Sequence, residues 1–285
     1  MESNLLIKKH DLTSGSITRG LWSFALPLML GNVLQQFYNL ADTWVVGNYI
    51  GDNALAAVGS SYTLLTFLTS VVIGLSLGTG SFISMAFGRK QNDVIRSGIF
   101  MSAVLIFAVT LVITGLFYAL LDPIISALLV PDEITGDMHT YLAWVFVGFF
   151  ATALYNYVSN LLRSMGNSMA PLIFLGVSVV LNVGLDLLFV IQLGWGIAGA
   201  AAATVIAQYA SGIGILIFFL ANCPEYRPRR SDMKWNGRHF RSILSLSGLT
   251  CLQQSVMNLG ILMVQAVVNS FGPVVMAAFA VAVKI

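Results

Sequence analysis

The sequence predicts an all-α membrane protein: a polytopic helical bundle with one complete six-helix lobe plus the start of a second, a truncated two-lobe fold. Three observations lead there. Of 285 residues, 57% are hydrophobic and only 9% charged, against roughly a quarter charged in soluble domains. Seven apolar runs exceed the roughly 20 residues that a spanning helix needs. A short residue pattern also recurs six helices apart.

The runs lie at about 21–50, 54–87, 95–121, 141–162, 170–192, 197–220 and 243–271, and an eighth begins near Val274. A β-barrel is disfavoured because stretches such as 104–121 lack the period-2 alternation of its strands. Helices then remain as the way to satisfy the backbone in lipid. Residues 1–20 are polar and mixed in charge, without the apolar core and small-residue cleavage site of a signal peptide, so the first helix is the expected targeting signal. The chain stops at Ile285 inside an apolar segment, and a truncated protein or a fragment is expected.

Orientation follows from the basic residues. Lys8, Lys9 and Arg19 precede the first span, and Arg89, Lys90 and Arg96 separate the second from the third. Arg163 closes the fourth, and Arg227, Arg229, Arg230, Lys234, Arg238 and Arg241 fill the link to the seventh. These 13 of the 14 Lys and Arg residues share one side, whereas one opposite loop carries Asp122, Asp132, Glu133 and Asp137. The positive-inside rule makes the amino terminus and the 222–241 loop cytoplasmic in a multi-pass protein of the cytoplasmic membrane. Topology thereby accounts for the basic loop without nucleic acid, and the net charge of +2 calls for no acidic partner.

No Walker loop, dinucleotide fingerprint or zinc motif occurs, so neither nucleotide nor cofactor is expected, and no enzyme activity. Cys223 and Cys251 lie toward the cytoplasmic side, where a disulfide is not expected, and they have no nearby His pair to complete a metal site. His10, His139 and His239 fall in flanks and loops and read as solvated. Gly74, Gly78 and Gly80 lie within one helix and space small residues for close helix packing.

Asn48, Gly51, Ala56 and Ala57 recur as Asn269, Gly272, Ala277 and Ala278 at a constant shift of 221, and Leu34-Gln35-Gln36 reappears as Leu252-Gln253-Gln254 at a shift of 218. A repeat six helices long re-enters from the same face and so forms a parallel pair of lobes. Four segments result: a cytoplasmic stretch 1–20, a six-helix lobe 21–222, a basic linker 223–241, and the start of a second lobe at 242–285 with the seventh helix and the beginning of the eighth.

Polar residues inside the first lobe form stripes. Gln35, Tyr38, Asn39 and Asp42 follow i, i+3, i+4, i+7 on the first helix, and Asn182 and Asp186 share a face of the fifth. Thr204 and Gln208 do the same on the sixth, and the fourth contributes Tyr141, Asn156 and Asn160. Asp42, Asp186 and Thr204 each lie about eight residues from the outer end of their helix, which places them at one level roughly 12 Å inside the boundary. Carboxylates in a membrane span mark ion or proton pathways by default, and two close together cannot both ionise cheaply. Two carboxylates, an amide and a hydroxyl suit H⁺ or Na⁺. Pro27, on the helix that carries Asp42, is placed to kink it as a hinge.

These residues resemble the multidrug and toxic compound extrusion (MATE) transporters, in particular the prokaryotic branch related to DNA-damage-inducible protein F. The resemblance rests on the helix from Pro27 to Asp42 with Gln35 and Tyr38, the 48–57 turn, Gly88-Arg89, Asn182-x3-Asp186 and Thr204-x3-Gln208. It implies a MATE-type fold of two six-helix lobes working as a cation-coupled antiporter by alternating access. Asp42, Asn182, Asp186 and Thr204 are then the cation or proton site, and Gln35, Tyr38, Tyr141, Asn156 and Gln208 the lining of the substrate chamber. The expected partners are membrane lipids and a small organic, amphipathic cationic substrate, and the expected state is a monomer. Two rivals stand beside this: a flippase for lipid-linked oligosaccharides, disfavoured because the first lobe has no basic residue mid-membrane, and a non-transporting scaffold or channel.

Overall fold

The computed structural model describes residues 17–228, 232 and 235–282. The expectations for 1–16, Arg229, Arg230, Lys234 and 283–285, and for the side chain of Arg19, lie outside the described residues. Every regular element among the described residues is helical. The long helices are α1 (Ile17–Tyr49), α2 (Asp52–Gly88), α3 (Asn92–Ala119), α5 (Asp132–Ser164), α6 (Met169–Asp186), α7 (Gly196–Asn222) and α8 (Gly237–Asn269). Two shorter ones, α4 (Leu121–Ala127) and α9 (Pro273–Ala282), complete the set. After Asp186 the α6 ladder widens to π-helical Leu187–Gln192. This is the multi-pass helical bundle that the composition predicts.

Among the described residues six helices, namely α2, α3, α5, α6 with its continuation, α7 and α8, are long and apolar enough to cross a membrane. The run 21–50 differs from its expectation. Its helix α1 is 33 residues long but is not among these six, because Gln35, Gln36, Asn39, Asp42 and Asn48 dilute its apolar content. The third span ends at Ala119 rather than 121, and α4 intervenes. The fourth begins at Asp132 instead of 141, where Asp132 and Glu133 occupy the first turn and favour the positive end of the helix dipole.

The repeat has a structural counterpart. Helices α1 and α8 are both 33 residues long, and each ends in a glycine corner, Gly51 at φ 120° and Gly272 at φ 92°. Side chains with a Cβ rarely adopt these angles, so the recurring glycines fix the sharp entry into α2 and α9.

Helix α2 is the axis of the molecule, with α5 packed on one side and α8 on the other. A Cβ on Gly74 would collide with the Cys251 backbone and one on Gly78 with that of Ser247. The small-residue spacing thus permits the backbone approach it suggests. Hydrogen bonds close the half of the seam nearer the basic loops: Thr250 donates to the Gly74 carbonyl at 2.6 Å and Ser247 to that of Leu75 at 3.1 Å. At the half away from the basic loops, Gln265 donates to Ser60 at 3.1 Å and to Asn269 at 2.7 Å, Thr63 donates to Gln265 at 3.0 Å, and Asn269 reaches the Leu128 carbonyl at 2.7 Å. Helix α8, assigned from sequence to the second lobe, is therefore stitched along the length of α2. At the basic end, Arg96 on α3 pairs with Asp93, with Asp232 of the linker at 2.9 Å, and with the Glu225 carbonyl at 3.2 Å.

Replacing Gly74 or Gly78 with Val should destabilise the protein by about 1–3 kcal/mol or more through overpacking, read as a lowered unfolding temperature in detergent. Gly115→Ala, which meets open space, should leave that temperature unchanged or slightly raised.

Candidate functional site

Asp42, Asp186 and Thr204 lie seven, six and eight residues from the ends of α1, the π-helical extension of α6, and α7 that are opposite the basic loops. At 1.5 Å per residue these offsets correspond to depths of about 9–12 Å. The three residues also meet laterally. Asp42 on α1 lines the same cavity as Tyr38, Tyr141 and Thr204, and Asp186 lies one turn along α6 from Asn182. Thr204 sits between the helices: Tyr38 donates to its hydroxyl at 3.4 Å and Asn182 Nδ2 at 3.3 Å. Because Thr204 accepts twice, its own proton remains to be donated.

The cluster has two layers. Asp42 and Thr204 line a cavity of about 370 Å³, together with Gln35, Tyr38, Tyr141, Asn156 and Gln208. All five residues expected in the chamber therefore do line one cavity. Asn182 and Asp186 stand behind its wall, at 0% and 1% exposure. Asn182 Oδ1, both carboxylate oxygens of Asp186 and Gln208 Oε1 are buried with no hydrogen-bond donor among the described residues. Buried acceptors are nearly always satisfied, so this set of oxygens has the chemistry of a place for a proton or a small hard cation.

Local structure supports the cluster. The π-helical turn starts at the residue after Asp186, and such turns are frequent at functional sites. Helix α1 continues through Pro27. The ring removes one rung of the ladder, and Ser168, just before α6, donates to the Phe24 carbonyl in the preceding turn at 3.1 Å. Asn156 and Asn160 bond back to their own helix at Thr152 and Asn156, both at 2.9 Å.

Sequence reasoning missed the α2 wall. Tyr62, Thr66 and Thr69 line the same cavity, and Asn39 reaches Tyr62 at 3.5 Å and Gln36 at 3.2 Å. The spacing i, i+4, i+7 was the available signal.

The family model described as MatE matches residues 27–188, more than half of the chain. The chain belongs to the MatE family. The matched MatE segment begins at Pro27 and includes Asp42, Asn182 and Asp186. Among curated relatives, the probable multidrug resistance protein YpnP of Bacillus subtilis is 31% identical over 275 residues, covering 96% of this chain and 61% of that protein. DNA damage-inducible protein F of Escherichia coli is 26% identical over 236 residues, covering 81% and 51%. An outward-facing multidrug resistance MATE transporter shares the fold, with a TM-score of 0.83 at 24% identity over 89% of this chain and 56% of that one. This MatE chain thus spans about half to three fifths of the length of the proteins it matches.

At alkaline pH, where the parent carboxyl is forced to ionise, Asp186→Asn should raise the unfolding temperature in detergent, since a buried carboxylate without donors costs several kcal/mol when ionised and the amide carries no charge. A fall as large as that from a core cavity would contradict this reading of the site.

Proposed function

We propose that this chain forms the amino-terminal part of a cation-coupled antiporter that exports organic, amphipathic cationic compounds across the cytoplasmic membrane by alternating access. The observation that carries the reading is the two-layered cluster, in which Asp186 and Asn182 stand behind a cavity wall that includes Asp42 and Thr204. H⁺ or Na⁺ entering from outside binds between the carboxylates. Binding moves α1 about Pro27, and the chamber lined by Gln35, Tyr38, Tyr141, Asn156 and Gln208 releases its substrate outward. Ion and substrate then weaken each other's binding reciprocally. The amino terminus and the basic loops face the cytoplasm, and the transporter works as a monomer.

The chamber chemistry favours an organic cation. Its wall combines one carboxylate with Tyr38, Tyr62, Tyr141, Tyr155 and Phe149, and aromatic faces attract cations. An oligosaccharide-lipid flippase needs cationic groups for pyrophosphate, and no Lys or Arg among the described residues lines this cavity.

In vesicles containing the full-length transporter, Asp42→Asn and Asp186→Asn should each cut ion-driven efflux by about tenfold or more, equivalent to about 1.4 kcal/mol, with membrane insertion unchanged. Efflux at the parental rate in a correctly inserted Asp186→Asn variant would remove the site assignment. Flux without counter-transport of an ion would point instead to a channel.

A further inference from the structure

Helices α3, α5 and α7 enclose a second groove, of about 530 Å³, that shares no lining residue with the chamber. Ile99, Ile106, Val158, Leu161, Leu216 and Phe219 form much of its wall, and no charged side chain among the described residues lines it. The Tyr157 hydroxyl at its base is already satisfied: it donates to the Ile99 carbonyl at 2.7 Å and lies 2.9 Å from the Ser102 hydroxyl. Water gains little in such a space. The rim is open outward, with Val104, Phe107 and Leu220 at 41%, 60% and 39% exposure.

The groove has the dimensions of one bilayer leaflet. It runs along α3 from Ile99 to Thr110 and along α5 from Phe150 to Leu161, eleven residue steps on each, or about 16 Å at the helical rise. Half of the roughly 30 Å hydrocarbon core is about 15 Å. Its lower end opens at Pro228, on the side of the basic loops. The neighbouring residue there is Arg227, whose Nε donates to the carbonyl of Leu220 on the groove rim. The remaining guanidinium N–H groups suit a phosphate.

We propose that the α3/α5/α7 groove binds one acyl chain of an anionic phospholipid from the leaflet on the basic side, with the headgroup phosphate on Arg227. A flexible hydrocarbon chain fills the dry slot, and the charge at the mouth selects the headgroup. In the orientation proposed above, this is the cytoplasmic leaflet.

The test is photo-crosslinking of the full-length protein in phosphatidylcholine nanodiscs doped with phosphatidylglycerol that carries a diazirine midway along one chain. Crosslinks mapped by mass spectrometry should concentrate on 99–110 and 150–161 rather than on Leu111, Val112 and Leu116, which are exposed on α3 beyond the groove. Ala153→Phe should fill the slot and reduce groove labelling severalfold. Ala103→Phe on the facing wall should do the same, so that a folding failure of one variant, detected by gel filtration, still leaves the other to decide. Arg227→Gln should abolish the preference for the phosphatidylglycerol probe over a phosphatidylcholine probe with the same chain. Labelling that simply follows lipid exposure, or that neither Phe variant changes, would overturn the site. Equal labelling by both headgroups in the parent protein would overturn the role of Arg227, and displacement of the probe by organic cations would reassign the groove to a substrate path.

Discussion

The burial of two carboxylates, Asp42 on α1 and Asp186 on α6, inside apolar helices is the constraint on which the rest of the site depends. An ionised carboxylate away from water is costly unless it is paired, and a second beside it adds to the cost. The surroundings answer this only in part. Tyr38 and Asn182 meet on Thr204, yet both oxygens of Asp186 remain without a donor among the described residues. In the proposed mechanism a proton or small cation makes up that deficit. Because Asp42 belongs to α1 and Asp186 to α6, its arrival and departure change the attraction between two helices.

Helix α2 separates that event from the rest of the chain. One face, with Tyr62, Thr66 and Thr69, completes the cavity wall. Another carries Gly74 and Gly78 against the backbone of α8, and Ser60 and Thr63 bond to Gln265 and Asn269 at the outer end. Close backbone approach combined with buried hydrogen bonds makes the α2–α8 pair a stiff unit, whereas α1 packs less extensively against α2 and contains Pro27. The helix with the proline carries Asp42, and the tightly packed pair carries Gly74 and Gly78.

Much of this was legible in the sequence because the information is periodic. The spacing of Gln35, Tyr38 and Asp42 announces a stripe, the offsets of Asp42, Asp186 and Thr204 from their helix ends announce a common depth, and Gly51 and Gly272 announce a repeat. Depth along an axis follows from counting residues. Lateral order does not, so the placement of Asp186 behind Asp42, and of Thr204 between Tyr38 and Asn182, had to come from packing. The π-helical turn after Asp186 carries no local signature, since a widened ladder depends on what the neighbouring helices accommodate. Tyr62, Thr66 and Thr69 were hidden by their neighbours: in a helix full of small residues, hydroxyls read as packing rather than as a wall. The apolar level of α1 was overestimated because its leucines mask Gln35, Gln36, Asn39, Asp42 and Asn48.

The most direct measurement is a carboxyl titration followed by infrared difference spectroscopy on the purified full-length protein, comparing the parent with Asp42→Asn and Asp186→Asn. If the two acids share one ion, removing either should shift the titration of the other, and Na⁺ or substrate should perturb the same carboxyl band. Two independent titrations, each unmoved by loss of its neighbour, would contradict a shared site.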